Sequence, residues 1–132
     1  MDRGIHIVLA DDEADFLFSA SVLLRRAGYR VTVAADGGEA FARILEARDA
    51  GDPVQVLVTD QQMPGLTGTE LVGFLRDRGI RIPVVVVTAC RNLAAAPDFS
   101  PEGIREFIEK PIGPEHLLAC LKRVAVPEEF PT

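Results

Sequence analysis

Hydrophobic and polar positions along the chain switch repeatedly between two periods. IHIVLA (residues 5–10) is an apolar run of strand length. The stretch behind it, DFLFSASVLLRRAG, puts Phe16, Ala20, Leu23, Leu24 and Ala27 on one helical face, with Gly28 placed to stop the helix. YRVTVA (29–34) alternates as a less buried strand does. After the turn DGG, a helix is predicted from about Gly38 to Arg48, with Ala40, Phe41, Ile44 and Leu45 inward. PVQVLVT (53–59) reads as a third strand, TELVGFLRDRG (69–79) as a third helix ended by Gly79, and IPVVVVT (82–88) as the most β-branched strand. A short strand around EFIEK (106–110) and a helix over 114–124, with Pro114 in its first turn, complete the pattern.

Five strand–helix units in one short chain imply a parallel sheet with helices on both faces, because each crossover is right-handed. Central strands of such a sheet are apolar on both sides, as VLV and VVVV are. Between Thr88 and Lys110 a helix is expected. PDFSP (97–101) lies there, and a proline inside a helix costs about 3 kcal/mol, so a short or irregular helix is predicted. The tail VPEEFPT reads as a frayed terminus or the start of a linker, giving one domain over 1–125 and a tail over 126–132.

Composition narrows the classes. The 132 residues suit about one domain, and 48% hydrophobic residues are ample for a single core. No apolar stretch approaches the roughly 20 residues of a membrane span, and the N-terminal apolar run is too short for a signal-peptide core. A cytoplasmic protein is expected. A net charge of −6 without a basic run argues against nucleic-acid binding through this chain. Cys90 and Cys120 are too few and too scattered for a disulfide framework or zinc site, and Cys120, amid leucines, reads as a core thiol. His6 and His116 lack companions at metal-ligand spacing. His6 reads as a strand side chain at the sheet edge or end, and His116 as an ordinary helix residue.

In doubly wound sheets, ligands bind beyond the carboxyl ends of the strands. The strands here end on Asp11-Asp12, Asp60, Thr88-Ala89 and Glu109-Lys110-Pro111, so three carboxylates, a hydroxyl and an ammonium converge. Neighbouring carboxylates repel one another unless a cation shares them. Hard oxygen ligands with open positions suit Mg²⁺, which pairs naturally with phosphate, and a carboxylate beside such an ion suits nucleophilic attack on phosphorus. The plainer readings are that Asp-Asp-Glu caps the next helix, that Asp60 makes an Asx-turn, and that Lys110 is an exposed strand end.

The acidic pair in VLADDE, the block DGGEAF, TDQQMPGLTG, VVVVTA and EFIEKPI, in that order, resemble the receiver domains of bacterial two-component response regulators over residues 3 to about 125. The resemblance implies a flavodoxin-like, three-layer α/β fold whose five parallel strands run in the order 2-1-3-4-5. It implies phosphorylation of Asp60, and Mg²⁺ (or Mn²⁺) held by Asp12, Asp60 and the main-chain carbonyl of Gln62, with Asp11 acting indirectly or through water. Thr88, with Ala89 beside it, and Lys110 would meet the phosphoryl group. Phe107 would be the aromatic switch, although a plain core phenylalanine accounts for that residue equally well. The family commonly has a cis peptide before the residue matching Pro111, and Gln62 and Cys90 occupy positions that tend to tune phosphoryl loss. Implied partners are a sensor histidine kinase or a histidine phosphotransfer protein upstream, and a protein partner or linked output domain downstream. The altered surface would lie around the fourth helix, the fifth strand and the last helix, where PDFSP departs from the pattern.

Three rivals fit less well. An aspartate-dependent phosphohydrolase wants Asp-x-Asp after the first strand and a cap for which there is no room. A flavin module wants a phosphate loop where this chain has acids. A receiver-like docking module that is never phosphorylated has no need of Asp60, Thr88 and Lys110 together.

Overall fold

The computed structural model describes residues 4–89 and 104–124. Five parallel strands, β1 (His6–Ala10), β2 (Arg30–Ala34), β3 (Val56–Thr59), β4 (Val84–Thr88) and β5 (Ile104–Glu109), pair in the order β2-β1-β3-β4-β5. The helices described are α1 (Ala14–Arg26), α2 (Gly37–Asp49), α3 (Gly68–Asp77) and α4 (Pro114–Val124). This is the flavodoxin-like arrangement expected from the sequence. The expected helix over PDFSP, and Cys90, lie outside the described residues.

Every residue of β1, β3 and β4 is buried, while the edge strands β2 and β5 are only partly covered. Alternation along the strands divides the core in two. Val8, Ala10, Leu57, Val84 and Val86 meet Ala40 and Ile44 of α2 and Leu71, Val72 and Leu75 of α3. Ile7, Leu9, Val56, Val58, Val85 and Val87 meet Ala20 and Leu24 of α1 and Leu117, Cys120 and Leu121 of α4. Cys120 is therefore the core thiol expected. His6 lies at the start of β1, buried, its ring 3.0 Å from Thr32 Oγ1 and 3.2 Å from the Asp52 carbonyl.

Gly28, Gly51 and Gly79 end α1, α2 and α3 in the left-handed region, with φ of 101°, 79° and 76°. The residue after each glycine donates back to the helix: Tyr29 to Leu24, Asp52 to Ala47 and Ile80 to Leu75. These bonds satisfy carbonyls that each helix end would otherwise leave open. Ala27, expected inward, is exposed because it is the last residue before that reversal; Ser21 is buried instead, its hydroxyl donating to the Phe18 carbonyl at 3.0 Å. Strand β3 begins three residues later than expected, beyond Pro53, which has no N–H to offer a ladder.

Candidate functional site

Parallel strands deliver all their C-terminal ends to one edge of the sheet, and the ladder fixes what stands there. Asp11 donates its N–H to the Ala34 carbonyl at 3.1 Å and Asp60 donates to Ala10 at 2.9 Å, so both are held one residue past their strands by main-chain bonds. Asp11 is 1% exposed, Thr88 3% and Asp60 7%, a degree of burial that obliges each polar group to find a partner.

That partner, for the carboxylates, is largely Lys110. Its ammonium donates to Asp11 Oδ2 at 2.8 Å, to Glu13 Oε1 at 2.7 Å and to Asp60 Oδ2 at 3.4 Å, and stands 5.0 Å from the centre of the Phe16 ring. Its main-chain N–H donates to the Thr88 carbonyl at 2.8 Å, which joins β5 to β4 at the site. Burial pulls the Lys110 pKa down, but the Asp11 and Glu13 carboxylates more than offset it and hold the ammonium well above its ordinary value. Burial pushes the Asp11 carboxyl up, against the opposing pull of Lys110 and of the Glu13 N–H, which donates to Asp11 Oδ1 at 2.9 Å. Asp11, Asp12 and Asp60 each offer an oxygen within 4.8 Å of the others. With Glu13, four carboxyl groups surround one ammonium, an excess of acid that a cation can share.

The loop behind Asp60 is held from several sides. Gln62 donates its N–H to Asp60 Oδ1 at 3.2 Å, so Asp60 does make the Asx-turn of the plainer reading while also facing Lys110. Met63 is buried, and a Cβ at Gly37 would come within 2.6 Å of Leu66 Cβ, so α2 packs directly on the loop. Thr67 caps α3, accepting from Glu70 N–H at 3.1 Å while Glu70 accepts from Thr67 N–H at 2.9 Å.

The structure thus brings together Asp11, Asp12, Asp60 and Lys110, ties Thr88 to Lys110 through the main chain, and ties Gln62 to Asp60. Ala89 is exposed just beyond β4, and Phe107 is half-buried against the α2/α3 side of the core. The Lys110–Pro111 peptide is cis. Glu13 corrects the capping alternative. It occupies the N-cap of α1 but makes no side-chain cap, because its carboxylate goes to Lys110. Sequence reasoning missed this pairing, and also the approach of Lys110 to Phe16, in the first turn of α1. The only signal was a third acid directly behind the pair.

No helix among the described residues is long and apolar enough to cross a membrane. Residues 7–122 match the response regulator receiver domain family. The chain is 30% identical over 123 residues to the DNA-binding transcriptional regulator NtrC of Escherichia coli K12, covering 93% of this chain and 25% of that protein. Against the curated relatives it matches, it spans from about a quarter to somewhat over half of their length. The chemotaxis response regulator CheY4 of Vibrio cholerae superposes with a TM-score of 0.80 at 31% identity, covering 92% of this chain and 98% of that one. CheY in a complex with CheX, BeF3 and Mg²⁺, from Borrelia burgdorferi, shares the fold, with a TM-score of 0.78 at 19% identity over 93% of this chain and 90% of that one. With its acidic pocket at the C-terminal edge of a 2-1-3-4-5 sheet and a family match over nearly its whole length, the chain belongs to the response regulator receiver domains, the regulatory phosphoacceptors of two-component signalling.

Proposed function

We propose that Asp60 is the residue that accepts the phosphoryl group, from a phosphohistidine on a sensor histidine kinase or a histidine phosphotransfer protein. A bond forms between an Asp60 carboxylate oxygen and phosphorus. The N–P bond breaks with its electron pair leaving on the imidazole nitrogen, which takes up a proton, and Asp60 becomes an acyl phosphate. The observation that carries this reading is the placement of Asp60: nearly buried at the end of β3, 3.4 Å from Lys110 and within one oxygen cluster with Asp11 and Asp12. Lys110 and the Thr88 hydroxyl, with Ala89 beside it, are the groups we assign to the phosphoryl oxygens.

The donor set fits a hard divalent cation, since its ligands are carboxylate and carbonyl oxygens and the acidic groups outnumber the one ammonium. Asp12, Asp60 and the main-chain carbonyl of Gln62 would hold Mg²⁺ or Mn²⁺, with Asp11 acting through water. When bound, the ion would neutralise developing charge on the phosphoryl oxygens. The Borrelia CheY complex contains both Mg²⁺ and a beryllium fluoride, which supports this assignment. We place the reaction in the cytoplasm, where ATP supplies the kinase.

The acyl phosphate then biases a two-state domain. In that step Thr88 moves toward the phosphoryl group and Phe107 turns inward. We assign the receiver unit to residues 1–125 and 126–132 to a tail or the start of a linker. Several of the matched curated relatives are longer transcriptional regulators, which supports output through a linked domain; a separate protein partner is the alternative.

The test is phosphorylation by acetyl phosphate or phosphoramidate, with and without Mg²⁺, followed by intact mass within minutes. A Mg²⁺-dependent adduct that is absent in Asp60→Asn is expected. If neither that adduct nor beryllofluoride binding appears at millimolar Mg²⁺, the chain is a docking module that works without phosphorylation.

A further inference from the structure

We propose that Gln61 is a positioning residue for the phosphoacceptor loop, an inference that rests on the reading of Asp60 and Gln62 given above. Gln61 directly follows Asp60 and is 8% exposed. Its side chain spans eight residues to the first turn of α3. Thr69 donates its N–H to Gln61 Oε1 at 2.9 Å, and Gln61 Nε2 donates to Thr69 Oγ1 at 3.0 Å. The Gln61 carbonyl accepts from Gly68 N–H at 2.9 Å. A helix leaves its first N–H groups without intrahelical partners. Here one residue outside the helix satisfies two of them, and Thr67 Oγ1 satisfies that of Glu70.

The contact is close enough to dictate its neighbours. A Cβ at Gly68 would lie 2.7 Å from the Asp60 carbonyl oxygen and 3.1 Å from Gln61 Oε1, so only glycine lets α3 approach. The peptide between Gln61 and Gln62 is thereby fixed at both ends, by the clamp to α3 on one side and by the Gln62 N–H bond to Asp60 Oδ1 on the other. Asp60 and the Gln62 carbonyl are the groups assigned to the cation. Gln61 touches neither cation nor phosphoryl group; it holds the α3 end of the loop that carries them.

Gln61→Met keeps the length and removes both side-chain hydrogen bonds. Thr69→Ser keeps both, and Thr69→Val keeps the amide bond but removes the hydroxyl's contacts with Gln61 Nε2 and, at 3.3 Å, with Thr67 Oγ1. In metal-free protein, Gln61→Met should abolish the exchange protection of the Thr69 amide and accelerate exchange at Gln62. Its equilibrium Mg²⁺ dissociation constant should rise about tenfold, the range seen when groups that orient a metal's ligands are lost. Half-saturating Mg²⁺ for phosphorylation by acetyl phosphate should rise in parallel, with a smaller change in rate at saturating metal. Thr69→Ser should match wild type and Thr69→Val should fall between. All measurements belong at least 20 °C below each variant's melting point. If Gln61→Met melts lower but keeps the wild-type Mg²⁺ constant, the residue is structural only and the proposal fails. Should Gln61→Met not fold, an unchanged Mg²⁺ constant in Thr69→Val overturns it instead. Failure of wild type to take up phosphoryl or beryllofluoride would instead count against the function proposed for Asp60.

Discussion

Replacing Lys110 with methionine removes the ammonium while keeping most of the stem. Its side chain is 12% exposed, and its three acidic partners differ sharply: Asp11 is 1% exposed, Asp60 9% and Glu13 62%. The Glu13 contact is solvent-screened and contributes about 0–1 kcal/mol. The Asp60 contact is long. The Asp11 bond is short and buried, and breaking such a pair by deleting one partner costs about 3–5 kcal/mol, because the other charge stays buried. The ammonium's own desolvation is recovered on deletion, which places the net loss near the lower end, about 3 kcal/mol. For a chain of this length that is a fall of about 10 °C in melting temperature. Urea melts of wild type, Lys110→Met, Asp11→Asn and the double variant, in EDTA at neutral pH, form a cycle. In the Asp11→Asn background the cost of Lys110→Met should shrink to about 1 kcal/mol, since the short buried pair is already gone and only the long Asp60 contact and the screened Glu13 contact are lost. Added Mg²⁺ should recover more stability in Lys110→Met than in wild type. A Lys110→Met protein within about 0.5 kcal/mol of wild type, or an equal cost in both backgrounds, would refute the reasoning.

Other expectations follow from neighbouring features. Mg²⁺ at ten times its dissociation constant should stabilise the protein by about 1.4 kcal/mol, or about 5 °C by thermal melting, and Asp12→Ala should lose that response. Gly37→Ala should destabilise by about 1–3 kcal/mol, because its Cβ meets Leu66 at 2.6 Å. Gly73→Ala, with open space around it on the exposed face of α3, should stabilise by about 0.5–1 kcal/mol; chemical denaturation of both reads the contrast. Burial, with Glu106 alongside, pushes the Cys120 thiol up to about 12 from an ordinary 9.0. In a Cys90→Ser protein, a thiol-specific chromogenic reagent should therefore react at pH 8 only after urea is added. Because the folded pKa is the higher one, that thiol contributes stability that is present below pH 9.0 and lost as pH rises toward 12. Cys120→Ala should flatten that part of the profile.

Much of this was legible because it is written locally. VVVV and VLV declare strands buried on both faces, Gly28 and Gly79 stop helices by a backbone conformation open to glycine, and five carboxyl ends gather the acids and Lys110 without further instruction. What escaped depends on distant partners. Nothing near Glu13 says that its carboxylate will prefer an ammonium 97 residues away to the helix it begins. Gln61 meets Thr69 only once the loop between them has taken its path. Ala27 has the spacing of a core residue, yet the reversal at Gly28 follows it at once and turns it outward. His6 was readable as a strand end, but not its burial, which comes from Thr32 and Asp52 on other segments.

The three glycine-stopped helix ends have a practical consequence. Gly28, Gly51 and Gly79 are exposed, have nothing within 4 Å of where a side chain would stand, and lie where the strands begin, a full strand length from Asp60. Lengthening a surface turn costs little entropy, about 0.6 kcal/mol per doubling. A fluorophore-bearing loop, an affinity handle or a grafted domain can therefore be spliced in at Gly51 while the phosphorylation chemistry proceeds at the opposite pole. The fold offers an experimenter one end to instrument and leaves the other to signal.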